Sequence, residues 1–130
     1  MVFWTWLDRL MAGLFFLSAA VQYNDPDPLA WMAMYTAAAV ACLLPASVRH
    51  RATVAWLVAA VSCFATLRMA PAALALEELS DLTATMAAAR PEVEAAREAL
   101  GLAIVSLWCA GLGTRDLWMR VSDGIGASSG

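Results

Sequence analysis

LMAGLFFLSAAVQYNDPDPLAWMAMYTAAAVACLL, residues 10–44, consists of two apolar runs divided by the polar knot Asn24-Asp25-Pro26-Asp27-Pro28. The knot carries its own stop and start signals. Asn24 suits the end of a helix, since asparagine tolerates the left-handed conformation found there. Pro26 and Pro28 push Asp25 and Asp27 out of the helical region and remove two backbone donors. Asp27 followed by Pro28 is a helix start, with the aspartate as N-cap and the proline in the first turn. The Asp27 carboxylate also meets the positive end of the second helix. The stretch is predicted to be a helical hairpin with a fixed corner.

The same reading extends along the chain. Of its 130 residues, 62% are hydrophobic, and the mean hydropathy is +0.68. Soluble domains are nearer half apolar, so the excess needs a home. A helix needs about 20 residues to cross a hydrocarbon core of ~30 Å. Four spans meet or approach this, at about 4–23, 28–44, 52–69 and 91–113. The expected architecture is all-α, an integral membrane four-helix bundle in a single domain over 1–121, followed by a flexible Gly/Ser-rich tail at 122–130. The first run is read as a retained helix. Its flanking pair, Asp8-Arg9, is neutral, whereas a signal peptide begins with a basic region.

All eight basic residues are arginine. With the high alanine content, this points to a GC-rich bacterial genome and an inner membrane. A net charge of −3 and the lack of a basic cluster argue against nucleic-acid binding. Arg49-His50-Arg51 lies between helices 2 and 3, and Arg115 and Arg120 lie beyond helix 4. The corner between helices 1 and 2 has no positive charge. Both termini are therefore expected in the cytoplasm. Eight of the eleven acids then fall outside: Asp25, Asp27, Glu77, Glu78, Asp81, Glu92, Glu94 and Glu98. Trp4, Trp6, Trp56 and Trp118 would form the inner aromatic belt, and Tyr23 and Trp31 the outer one.

Cys42, Cys63 and Cys109 have no metal-knuckle spacing and read as small packing residues. Ala33, Ala37 and Ala41 on helix 2, and Ala55, Ala59 and Cys63 on helix 3, form small-residue stripes that would let helices approach closely in lipid. Leu76, Leu79, Leu82 and Met86 repeat at helical spacing in the outer segment. They predict a short amphipathic helix between helices 3 and 4, with a protein surface as its better partner.

Two places invite a site. At the outer corner, Asn24 and Asp25 offer oxygen ligands, and RPEVEAAREALG sets Glu94, Arg97 and Glu98 on one face of helix 4. A hard cation could join Asp25 to Glu94 or Glu98, since calcium takes six to eight oxygens. Equally, Arg97 or Arg68 could pair with Asp25 in a plain polar clasp. At the inner end, Asp8-Arg9 sits a turn inside the interface. It reads either as a self-neutralising pair with Arg9 reaching out to water, or as a contact with a polar group on a partner helix. No cofactor is expected. His50 is the only histidine, so paired axial histidines for haem cannot come from one chain. No nucleophile–base pair or phosphate loop is present, and the chain is not read as an enzyme.

QYNDPDPLAW, Tyr35 and EAAREALGL resemble the transmembrane protein 220 family, small four-span proteins of bacteria and animals with an NDPDP…W motif. The resemblance covers about residues 5–115 and carries to Asn24, Asp25, Pro26, Asp27, Pro28 and Trp31, and more loosely to Glu94, Arg97 and Glu98. It implies the four-helix fold and brings no activity with it. Two functions stay open. One is an accessory subunit packed against other membrane protein subunits, in a respiratory or photosynthetic complex for instance, with Asp8, Arg9, Leu76, Leu79, Leu82 and Met86 as contacts. The other is a stand-alone bundle with an external ion or small-ligand site at the NDPDP corner.

Overall fold

The computed structural model describes residues 2–24, 27–74 and 91–128. Four helices account for nearly all of them: α1, Val2–Val21; α2, Pro28–Leu43; α3, Arg51–Ala73; and α4, Pro91–Ser128. A 3₁₀ turn, Gln22–Asn24, follows α1. Among the described residues there is no strand. The expected surface helix with Leu76, Leu79, Leu82 and Met86 lies outside the described residues, as does Asp25.

The helix ends follow local chemistry with three departures from expectation. Pro28 does open α2, but Asp27 makes no side-chain cap bond and is exposed. Its backbone, at φ −123° and ψ 58°, lies between the extended and helical regions. Leu44 ends α2 with extended dihedrals, φ −59° and ψ 132°, as the residue before Pro45 must. Its N–H still closes the last turn on Val40 O at 3.0 Å. α3 passes through Pro71 rather than stopping before it, and Leu74 N–H donates to Ala70 O at 2.8 Å. Proline removes only its own donor, which is a small loss in a helix's final turns. α4 runs on beyond Gly113 to Ser128, through most of the expected tail. Gly113 does not break the helix because it is a packing glycine: a Cβ there would lie 2.7 Å from the Trp56 ring.

The helices alternate in direction and form two hairpins, α1 with α2 and α3 with α4. α2 joins the hairpins by packing on both α3 and α4, whereas α1 makes no close backbone approach to either. The end holding residues 8, 51 and 115 is called the base here, and the end at the NDPDP corner the head.

Core residues step by three and four along each helix. On α1 they are Ala12, Phe15 and Ala19; on α4 they are Val93, Ala96, Ala99, Leu102, Val105, Cys109 and Leu112. The small-residue stripes hold over part of their length, with Ala41, Ala55 and Ala59 buried and Ala37 packed against the core, and then drift off the contact face. On α2 the buried face is Tyr35, Ala38, Ala39, Ala41 and Cys42, with Ala33 exposed. On α3 it is Ala55, Val58, Ala59 and Ser62, with Cys63 exposed. A strict step of four overshoots the 3.6-residue turn by about 40° each time, so it leaves the contact line within two steps. Ser106 Oγ donates to Ala59 O at 3.0 Å and links α4 to α3. Near the head, Tyr35 Oη lies so close over Gly101 that a Cβ there would overlap it. Gly101 thereby lets α2 and α4 meet.

Candidate functional site

Asp8 continues the α1 stripe 12, 15, 19 one turn towards the N-terminus, and Asp116 continues the α4 stripe 105, 109, 112 one turn further on. Arg51, the first residue of α3, sits a turn before Ala55. Three charged side chains thus occupy core positions, and their exposures are low: Asp8 4%, Arg51 4% and Asp116 1%.

They meet at the base. Arg51 Nη2 donates to Asp8 Oδ2 at 2.7 Å, and Arg115 Nη2 donates to the same oxygen at 2.6 Å. Arg51 Nε lies 3.4 Å from Asp116 Oδ2 and 3.4 Å from Ala41 O. Arg115 Nε lies 4.0 Å from Asp116 Oδ1. Two cations balance two anions, which offsets part of the cost of taking these charges out of water. The satisfaction is uneven. Asp8 Oδ1 and both Asp116 oxygens have no hydrogen-bond partner, so Asp116 is held by charge proximity alone. The Arg115 guanidinium stacks 5.1 Å from the Trp4 ring. A cavity of about 250 Å³, lined by Thr5, Asp8, Arg9, Cys42 and Arg51 among others, opens beside the cluster.

Asp8 does not pair with Arg9. Arg9 is exposed and lies over Trp6 at 5.7 Å. Successive helix residues point about 100° apart, so neighbours in sequence do not face one another. Asp8 finds a helix partner, but within its own chain. Arg51, expected in a loop, is the buried start of α3, and Asp116 was not singled out by the sequence reading at all. The signal that could have found it was its place on the α4 stripe. Arg120 braces the loop between α2 and α3, donating to Val48 O at 2.7 Å and Ala46 O at 3.3 Å.

At the head, the expected residues differ in exposure. Asn24, Asp27 and Glu94 are exposed, while Trp31, Arg97 and Glu98 are half-buried. Arg97 and Glu98 are both engaged in interactions, and the Glu98 carboxylate acts electrostatically on the Tyr35 phenol. The expected pairing of Asp25 with Glu94, Glu98 or an arginine lies outside the described residues. Among the described residues no three histidine, cysteine or acidic side chains group as metal ligands would. The base cluster, which joins α1 to α3 and α4, is the most developed polar arrangement described.

Two helices, Arg51–Ala73 and the Pro91–Ile125 part of α4, are long and apolar enough to cross a membrane. The shorter Pro28–Leu43 is apolar as well. The fold is thus that of a small all-helical protein with membrane-compatible helices. The chain belongs to transmembrane family 220, whose helical family model matches residues 14–113. The match contains the NDPDP corner, Tyr35, Arg51, Glu98 and Gly101, and it leaves Asp8, Arg115 and Asp116 outside. No curated protein and no solved structure matches the chain.

Proposed function

We propose that the chain is a non-catalytic four-span protein of a bacterial inner membrane, with both termini cytoplasmic, serving as an accessory subunit of a larger membrane assembly. Four spans are supported by the outward faces of α1 and α2. Leu10, Leu14, Phe16, Leu17, Val21, Leu29, Val40 and Leu43 are all exposed, a surface stable against lipid and unstable against water. The one buried acid of α1, Asp8, is neutralised by arginines. Orientation rests on the base, where Arg9, Arg49 and Arg120 remain after the balanced cluster is set aside.

The observation that carries the subunit reading is the far end of α4. At 1.5 Å per residue its 38 residues extend roughly 57 Å, against a core of ~30 Å. The last turns therefore leave the bilayer at the base. They carry Leu117, Trp118 and Val121, exposed by 54%, 71% and 55%. Burying such side chains is worth about 1.5–3 kcal/mol each, and within the chain nothing described covers them. A partner subunit is the cover proposed.

The test is a tagged chain at native expression, purified in mild detergent and examined by mass spectrometry and absorption spectroscopy. A stoichiometric partner, lost on Leu117→Glu/Val121→Glu, is expected. A colourless monomer from wild type, or a partner indifferent to the double variant, would end this reading.

A further inference from the structure

A second feature lies at the head, where α2, α3 and α4 leave a groove of about 350 Å³. Its deeper part is lined by Met34, Phe64, Ala65 and Leu102, and its rim by Trp31 and Arg68. The order along the helices is consistent. Moving from residue 34 to 30 on α2, or from 64 to 68 on α3, advances about 6 Å towards the head. The apolar floor thus lies deeper in the bilayer, and the charge lies at its edge.

We propose that this groove binds one acyl chain of an anionic phospholipid from the outer leaflet, whose phosphate pairs with Arg68. The proposal rests on the four-span reading. Under it the groove opens sideways into hydrocarbon, where no water is available to fill it and an unfilled groove forfeits dispersion contacts along its walls. A lipid tail is the apolar chain at hand. Arg68 is exposed at the rim, and a guanidinium matches a phosphate with parallel N–H donors. Trp31, half-buried beside it, has an amphipathic ring suited to the headgroup level.

The experiment uses the full chain in detergent, given equal amounts of phosphatidylglycerol and phosphatidylcholine and examined by native mass spectrometry. One retained lipid is expected, with phosphatidylglycerol favoured about fivefold, the scale of one arginine near an anionic surface. Arg68→Gln should abolish the preference and keep a lipid bound; Ala65→Leu should fill the floor and reduce lipid of both kinds. Should Ala65→Leu fail to fold, a phosphatidylglycerol with a photoreactive mid-chain group replaces it, and crosslinks should concentrate on Met34, Phe64 and Leu102. Equal retention of the two lipids, an unchanged preference in Arg68→Gln, or crosslinks spread evenly over the lipid-facing helices would each overturn the proposal. A parallel labelling of Cys63 in intact membranes separates the two failures. Cys63 open to a water-borne reagent would defeat the four-span reading itself. Cys63 shielded, with no lipid preference, defeats the groove alone.

Discussion

Asp8 and Arg115 stand 107 positions apart in the chain and 2.6 Å apart at the base, and Arg51 closes on the same carboxylate oxygen from 43 positions away. Because α1 has no close backbone approach to α3 or α4, these long side chains tie its base to that hairpin. Asp8→Asn should therefore leave two arginines without their shared anion. A loss of about 3–5 kcal/mol is expected, the usual scale for breaking a buried ion pair from one side. Arg9→Gln, one residue on, should change stability by no more than about 0.5 kcal/mol. Unfolding of both variants in detergent checks the contrast; equal effects would restore the Asp8–Arg9 pair.

Asp8 is also shared unequally by its arginines. Arg51 is buried and touches Asp116 and Ala41 O as well, while Arg115 is more open to solvent and stacks on Trp4. Arg51→Gln should cost more than Arg115→Gln. In a double-mutant cycle each should couple to Asp8→Asn within the range of about 0.5–3 kcal/mol seen for residues in one network.

Tyr35 and Gly101 set the approach of α2 to α4. Gly101→Ala places a methyl in the volume of Tyr35 Oη and should destabilise by about 1–3 kcal/mol, as overpacking does. Tyr35→Phe, which removes that oxygen, should recover much of the loss. Gly111, with open space where its Cβ would stand, is the control. There Gly→Ala should stabilise by about 0.5–1 kcal/mol through helix propensity alone. Thermal melts in one detergent compare all three.

The cysteines report topology without any engineering. Cys63 faces outward from α3, while Cys42 and Cys109 are buried. In intact membranes a membrane-impermeant maleimide should label none of them. After detergent extraction, a small apolar maleimide should label Cys63 first. Rapid aqueous labelling of Cys63 before extraction would place α3 outside the bilayer.

Asp27 makes no cap bond despite its position. Asp27→Ala should accordingly fall short of the roughly 0.5–2 kcal/mol that loss of a working cap costs. A full-sized loss in chemical or thermal unfolding would show that the carboxylate has a partner after all.

The sequence by itself determined the helices, because apolar runs, prolines and helix-end residues act within a few positions of where they stand. It made Pro28 a start and Pro45 a stop, and it placed Asp8 and Asp116 on the same stripes as Phe15 and Cys109. Their burial is legible there, and Arg9, the neighbour of Asp8 in sequence, lies on a different face of α1. What tertiary structure decided is which charges meet. The 3.6-residue period fixes a side chain's direction around its own helix, but it says nothing about the height and rotation at which another helix docks. Only the packing of Ala38, Ala55, Gly101 and Gly113 settles those, to within the width of a methyl group. It brings Arg51 and Arg115 onto a single oxygen, and it leaves Asn24, Asp27 and Glu94 exposed at the head.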